Sequence, residues 1–395
     1  MSWTVIQLGS REHYAIPIAL HGTRVLDRCL TDTWLSETAS SLARPFSPSL
    51  SARRSGQLSD DKVVSNTLGR LMIDVRMRLR GTGLWDSILE RNKWFDEWAA
   101  KQSTEVGSST VFSYSYTARL AFCEARSRGA RCILGQIDPG PREEEVVLEG
   151  TKNYRHLAPP ADRAPQQYWD LWREEIAMAD KIVVNSPWSA KLLVEAGVDA
   201  AKLVEIPLVY EPSGSMEQGA GSVERRPSKR LQALFLGSVI LRKGVGQLFD
   251  AIKMLKSEPV DFTFAGPIGV KIPDEVSQLP NVRFLGPVDK ATAGELYQTS
   301  DFFLFPTLSD GFGLTQLEAL GHGLPVISSR NCALVIEDRV NGLVLNDVLP
   351  ESIAEAIMEL VRDPDLLARL KANAFVPDKF QPRHLATALL TLESS

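Results

Sequence analysis

Residues 301–329 read DFFLFPTLSDGFGLTQLEALGHGLPVISS, and they dictate a strand, a glycine loop, a helix and a second strand. Asp301 to Pro306 is a short apolar run closed by Pro306, and Leu324 to Ser329 is another. Each suits a strand buried on both faces of a parallel sheet. Between them Gly311 and Gly313 bracket Phe312, and Leu314, Leu317 and Leu320 recur at helical spacing until Gly321 and Gly323 end the helix. Such a loop aims backbone N–H groups at a ligand from a helix N-terminus, which suits an anion.

Asp310 sits in this loop and Glu318 in the helix, beside the leucine stripe. A carboxylate so placed can accept hydrogen bonds from a ribose diol while loop amides hold phosphate or sugar oxygens. On their own, Asp310 reads equally as a helix-start acid and Glu318 as a solvated helix residue.

The whole string resembles the signature of retaining GT-B glycosyltransferases of the family-4 type, the glycosyl transferases group 1. The matching residues are Asp310, Gly311, Phe312, Gly313, Glu318, Gly323, Pro325 and Val326. The first acid, usually Glu in the family, is Asp here and one methylene shorter. The resemblance implies an α/β chain of GT-B type, with two Rossmann-like doubly wound domains facing across a cleft. It also implies that Asp310, with the backbone of Gly311, Phe312, Gly313 and Leu314, holds the donor sugar, and that Glu318 anchors the ribose.

Upstream, Leu231 to Gly237 is a strand whose loop carries Arg242 and Lys243 into a helix with Leu248, Ile252 and Leu255. Cations at a helix N-terminus are disfavoured by the peptide dipole unless an anion lies between them and the helix. That favours a phosphate role over a chance surface pair. The spacing from Gly237 through Arg242, Lys243 and Gly244 resembles the family's donor-diphosphate motif, with Ser238 where the family often has Arg. Leu285, Gly286, Pro287 and Val288 close a later strand, and by resemblance Leu285 and Val288 present backbone groups to the nucleobase.

In the N-terminal half, Trp3 to Leu8 reads as the first strand, followed by a loop from Gly9 to His13 and a helix carrying Ile16, Ile18, Leu20, Val25 and Leu26. That is how a doubly wound fold opens. By resemblance Gly9, Ser10, Arg11 and His13 face the cleft; Arg11 and His13 read equally as a capping or surface pair. The strand Arg131 to Ile137 runs into Gln136, Asp138 and a Pro-Gly-Pro turn. Family members commonly carry a histidine at this point and this chain does not, so Gln136 and Asp138 become candidate sugar or acceptor contacts. From the residues alone, the turn-forming role of the Asp-Pro-Gly-Pro run is the stronger reading of Asp138.

Two further stretches stay outside the site. Glu143-Glu144-Glu145 reads as a solvated helix face. Leu68 to Leu84 mixes four arginines with apolar residues; Asp74 and Asp86 dilute its charge, which favours a half-buried helix with a solvated basic face over one meeting anionic lipid or a phosphorylated acceptor.

The 395 residues, with ordinary apolar and charged fractions and a formal net charge of −5, suit a two-domain soluble protein and argue against a general nucleic-acid binder. The boundaries expected are an N-terminal acceptor domain over 1–210, a linker over 211–230 rich in Gly, Ser and Glu, a donor domain over 231–375, and a tail over 376–395 whose helix packs back on the N-terminal domain. The four cysteines lack CxxC spacing and read as small buried thiols. No apolar run reaches about 20 residues, so the expected location is cytoplasmic, with peripheral contact at a membrane inner face left open.

The expected activity is retaining transfer of a hexose-type sugar from a nucleoside-diphosphate sugar to a glycan or glycolipid. Arg242, Lys243 and Asp310 would be the catalytic residues, with no metal and no cofactor beyond the donor co-substrate. A GT-B sugar phosphorylase, a nucleotide-sugar epimerase and a non-catalytic nucleotide-sugar-binding subunit remain open alternatives.

Overall fold

The structure, a computed structural model, describes residues 2–37, 39–40, 53–159, 162–210 and 230–393. The expected linker, apart from Arg230, lies outside the described residues. Two parallel sheets organise the described chain. The first holds β1 (Trp3–Gln7), β2 (Leu26–Thr31), β3 (Val63–Ser65), β4 (Thr110–Tyr114), β5 (Arg131–Gly135), β6 (Lys181–Val184) and β7 (Leu203–Glu205), in the order β3-β2-β1-β4-β5-β6-β7. The second holds β8 (Leu231–Leu236), β9 (Val260–Ala265), β10 (Val282–Phe284), β11 (Phe302–Phe305), β12 (Val326–Ser328) and β13 (Gly342–Val344), in the order β10-β9-β8-β11-β12-β13.

Both orders reverse direction beside their first strand, between β1 and β4 and between β8 and β11. Such switch points leave a crevice at the carboxyl ends of the strands, where ligands of open α/β sheets bind. The loops that begin at Gly9 and Gly237 leave β1 and β8 at these points.

Alternating side chains fill both faces of each sheet. In β11, Phe302 and Leu304 enter one core with Phe262, Phe264 and Ile252, whereas Phe303 and Phe305 enter another with Leu317 and Leu320. In the first sheet, Ile6, Val111 and Leu134 face one layer, and Val5, Phe112 and Ile133 the other. A strand covered on both faces has no polar side to show, which is why these segments read as continuous apolar runs.

The tail divides between the halves. Phe380 packs edge-to-face on Phe312, with ring centroids 5.9 Å apart, within a core of the second sheet. The helix Pro382–Thr391 then buries Leu385 and Leu389 against Trp3, Ile16 and Leu20 of the first. Arg131 Nη1 donates to the carbonyl of Glu393 at 2.8 Å, and Thr110 Oγ1 donates to its carboxylate at 2.8 Å.

Three local expectations are corrected. Leu26 opens β2, and the helix carrying Ile16, Ile18 and Leu20 stops at Gly22. The single helix expected over Leu68 to Leu84 ends at Arg80, with β3 just before it and a second helix, Leu84–Thr104, starting at Leu84. Cys123 is exposed, while Cys29, Cys132 and Cys332 are buried; all four are free thiols.

Candidate active site

Arg242 and Lys243 lie in a single 3₁₀ turn, Leu241–Lys243, that leads into the helix Val245–Met254. Gly244 joins the two at φ +74°, and a Cβ there would stand 1.9 Å from the carbonyl oxygen of Pro306. Glycine is therefore required for the turn to sit against the end of β11. Leu308 N donates to the carbonyl of Arg242 at 2.9 Å and fixes that approach.

The turn aims both cations at the glycine loop. Lys243 Nζ pairs with Asp310 Oδ2 and lies 5.1 Å from the Phe305 ring centroid. Arg242 Nη1 donates to the Ser309 carbonyl at 2.8 Å, stands 3.9 Å from Asp310 Oδ2, and reaches Glu143 Oε1 at 3.7 Å.

Glu143 comes from the first sheet's half, near the start of the helix Pro141–Thr151. Its side chain is 18% exposed, so the solvated-face reading of the Glu143-Glu144-Glu145 run fails at this residue. Burial pushes its carboxyl up to about 7; Arg242 pulls it back, and Asp138 and Asp310 add to the rise. Its surroundings come largely from a loop more than a hundred residues away, which local pattern does not reveal. The only sequence signal was its position just past the strand-end Pro-Gly-Pro turn.

Asp138 stands on the same side. Its Oδ1 accepts from Tyr116 Oη at 2.7 Å, Gly140 N at 2.9 Å and Gln136 Nε2 at 3.0 Å. Burial raises its pKa, while these donors and nearby Arg11 lower it. Gln136 is itself buried, and its Oε1 accepts from Trp172 Nε1 at 3.0 Å. Its carboxamide thus holds Asp138 and the strand end in place.

The two halves close around Gly311. A Cβ there would lie 3.1 Å from the Ile137 carbonyl oxygen, and the Gly311 carbonyl accepts from Ser186 Oγ at 2.6 Å and Ser189 Oγ at 3.3 Å. Trp188 Nε1 donates to Ser309 Oγ at 2.9 Å. Farther along the interface, Tyr154 Oη donates to Asp250 at 2.9 Å, and Gln247 Nε2 to the Gly150 carbonyl at 2.8 Å.

The first loop reaches the same crevice. Gly9 N donates to buried Asp32 at 2.8 Å, and Asp32 also binds Arg53 at 3.1 Å and Arg70 at 2.5 Å. Glu12, His13 and Tyr14 all have left-handed backbone, with φ of 50°, 51° and 66°. Three consecutive non-glycine residues in that region are uncommon, and each costs on the order of 1 kcal/mol. Tyr14 anchors them, buried edge-to-face on Trp34 at 5.2 Å. Arg11 lies 5.8 Å from the Tyr114 ring centroid, His13 is exposed, and burial raises Glu12 to about 7. Glu12 and Arg53 were not singled out from the sequence, and Arg70 was read only as one of the arginines of Leu68 to Leu84.

The structure thus brings Arg11, Asp138, Arg242, Lys243, Asp310 and Gly311 to one region and adds Glu143. Gly237, Ser238, Leu285 and Val288 lie to one side, at the carboxyl ends of β8 and β10, where Gly266 N donates to the Gly286 carbonyl at 2.7 Å. Phe312 points into the core, and its amide N donates to Asp310 Oδ1 at 3.3 Å. Leu314 is half-buried against the same core, next to Gly313. Glu318 accepts from Tyr297 Oη at 2.9 Å, and Tyr297 stacks on His322 at 4.9 Å.

Residues 230–363 match the family described as glycosyl transferases group 1. They form a group 1 glycosyltransferase domain. An uncharacterized glycosyltransferase of Methanocaldococcus jannaschii is 30% identical over 148 residues, covering 35% of this chain and 41% of that protein. The D-inositol 3-phosphate glycosyltransferase of Actinosynnema mirum is 25% identical over 244 residues, covering 56% and 58%. The chain therefore spans only about half the length of these relatives.

Among solved structures, Anabaena HepE in complex with UDP superposes with a TM-score of 0.63 at 14% identity over the whole of both chains. The sucrose-phosphate synthase of Thermosynechococcus elongatus gives 0.68 at 16%, covering 100% of this chain and 98% of that one. With the group 1 domain stacked against a second parallel sheet, the fold is GT-B.

Proposed function

We propose that the chain is a retaining glycosyltransferase that moves a hexose-type sugar from a nucleoside-diphosphate sugar to a glycan or glycolipid acceptor. The observation that carries this reading is the convergence of Arg242 and Lys243 on Asp310 at the carboxyl edge of the second sheet, with the first domain closing over them. Two cations held at a crevice suit a leaving diphosphate, and they stabilise the charge that grows on it as the glycosidic bond breaks. Metal independence belongs to the same reading, because Arg242 and Lys243 supply the positive charge.

Glu318 then orients the ribose, its carboxylate set by Tyr297. Asp310 and the amides of the 311–314 loop hold the sugar, while the strand ends around Gly237, Ser238, Leu285 and Val288 line the base. Gly9 and Arg11 close the cleft from the other side with Asp138. Retention follows from front-face attack, in which a donor phosphate oxygen takes the acceptor proton. HepE is described bound to UDP-glucose, which makes that sugar the first donor to try.

The test is proton NMR of the full chain with a panel of nucleoside-diphosphate sugars, following release of the diphosphate and the anomeric configuration of the product. Turnover with the donor's configuration kept supports the proposal. Inverted product refutes retention. Cleavage that needs inorganic phosphate and no nucleotide indicates a phosphorylase, donor conversion without acceptor an epimerase, and binding without turnover a non-catalytic subunit.

A further inference from the structure

The helix Thr67–Arg80 has two apolar faces, and only one is covered. Ile73 and Met77 are buried. Leu68, Leu71, Met72, Val75 and Leu79 are 75%, 48%, 68%, 54% and 84% exposed. Their spacing of three, one, three and four residues places them on a single stripe. Leu84, the first residue of the next helix, is also 67% exposed. Isolated soluble chains rarely leave such a contiguous apolar strip to water. The helix is well capped, since Asn66 Oδ1 accepts from Gly69 N at 2.9 Å and Gly81 ends it at φ +60°.

The helix that bears the strip is mostly basic. The helix carries four arginines against Asp74, a local net charge of +3 in a chain of formal net charge −5. Asp74 is turned to Arg70 at 2.8 Å, and Arg70 reaches on to Asp32. Arg76, Arg78 and Arg80 are exposed beside the strip, and Glu90 is within 3.4 Å of Arg76 and 3.7 Å of Arg80. A second copy packed symmetrically here would set arginines against arginines. An anionic bilayer would take the leucines into its interface and pair the arginines with headgroup phosphates.

We infer that this outward face docks the protein on an anionic lipid bilayer. The segment is half-buried with Arg76, Arg78 and Arg80 exposed, as its sequence suggested, and the structure adds an apolar stripe on the outward side. The docking stands on the helix alone. Its link to transfer rests on the function proposed above: Arg70 and Asp32 connect this helix to Gly9, so docking brings the bilayer surface to the cleft side of the first sheet. Acceptors carried in that surface would then be within reach.

The experiment is sedimentation of the full chain with phosphatidylcholine vesicles, with and without phosphatidylglycerol, at low and high salt. Binding to the anionic vesicles, weakened by salt, is expected. Met72→Ser with Leu79→Ser should abolish it without altering thermal unfolding, since both side chains are exposed. Arg78→Gln with Arg80→Gln should weaken it by roughly fivefold per arginine. The proposal is overturned by no binding at low salt, by equal binding to neutral vesicles, or by unchanged binding of the serine variant. It is also overturned by self-association in solution that the serine variant abolishes, which would give the face to a second copy. All of these outcomes are independent of whether the protein transfers sugar.

Discussion

Replacing Glu143 by Gln removes a buried carboxylate from the junction between the domains, and its effect should depend on pH. In the folded protein the carboxyl is raised from an ordinary value of 4.5 to about 7, first by burial, with Arg242 opposing and Asp138 and Asp310 reinforcing. The folded state thus holds this proton more tightly than the unfolded chain. The stability it contributes is complete below about pH 4.5 and is lost as pH rises through about 7. The gap corresponds to about 3 kcal/mol at most. Glutamine cannot titrate, so the variant should gain on the wild type by up to that amount between about pH 5 and about pH 8.5. Paired thermal or urea unfolding series measure the difference, in which the titration of a buried carboxylate not coupled to Glu143, such as Glu12, cancels. A stability difference constant across that range would refute the placement of Glu143 at a desolvated interface. The same ionisation sets a second negative group against Arg242, so donor affinity should fall more steeply with pH in the wild type than in the variant.

Gly244→Ala forces a side chain into the left-handed region, at a cost of about 1–2 kcal/mol, before its overlap with Pro306 is counted. A lowered melting temperature together with lost donor binding is expected, and a normal melting temperature would contradict the turn geometry. Trp188→Phe removes the hydrogen bond to Ser309 and should cost about 1 kcal/mol, read as easier proteolysis between the halves. Leu389→Ala opens a cavity beneath the terminal helix and should cost about 2–5 kcal/mol, with the tail after Gln381 becoming protease-sensitive; an unchanged digestion pattern would show that the helix is not anchored there.

The second sheet was legible because its strands are buried on both faces, so hydrophobic runs such as Phe302–Phe305 stand out, and because Gly237, Gly266 and Gly286 follow β8, β9 and β10 closely. The first half was less legible. The strand β2, LDRCLT, interleaves Asp27 and Arg28 with its apolar residues, and it begins with a leucine that helical spacing also claims. In Thr67–Arg80 both faces are apolar, and periodicity cannot say which one the fold covers. Glu143 was read as solvated and Arg53 was passed over for a different reason. Their partners, Arg242 and Asp32, are distant in sequence, and the meaning of a charged residue lies in what it meets. The same limit applies to Gln136, which looked like a ligand contact from its strand-end position. Its hydrogen bonds to Asp138 and Trp172 give it a positioning role.

Whether Arg242 and Lys243 hold the donor diphosphate is read by calorimetric titration of UDP, GDP, ADP and TDP into wild type and Lys243→Ala. A charged hydrogen bond is worth about 1.5–3 kcal/mol, so one diphosphate should bind the wild type and lose roughly tenfold or more in the variant. Equal affinity in the two proteins would contradict the account.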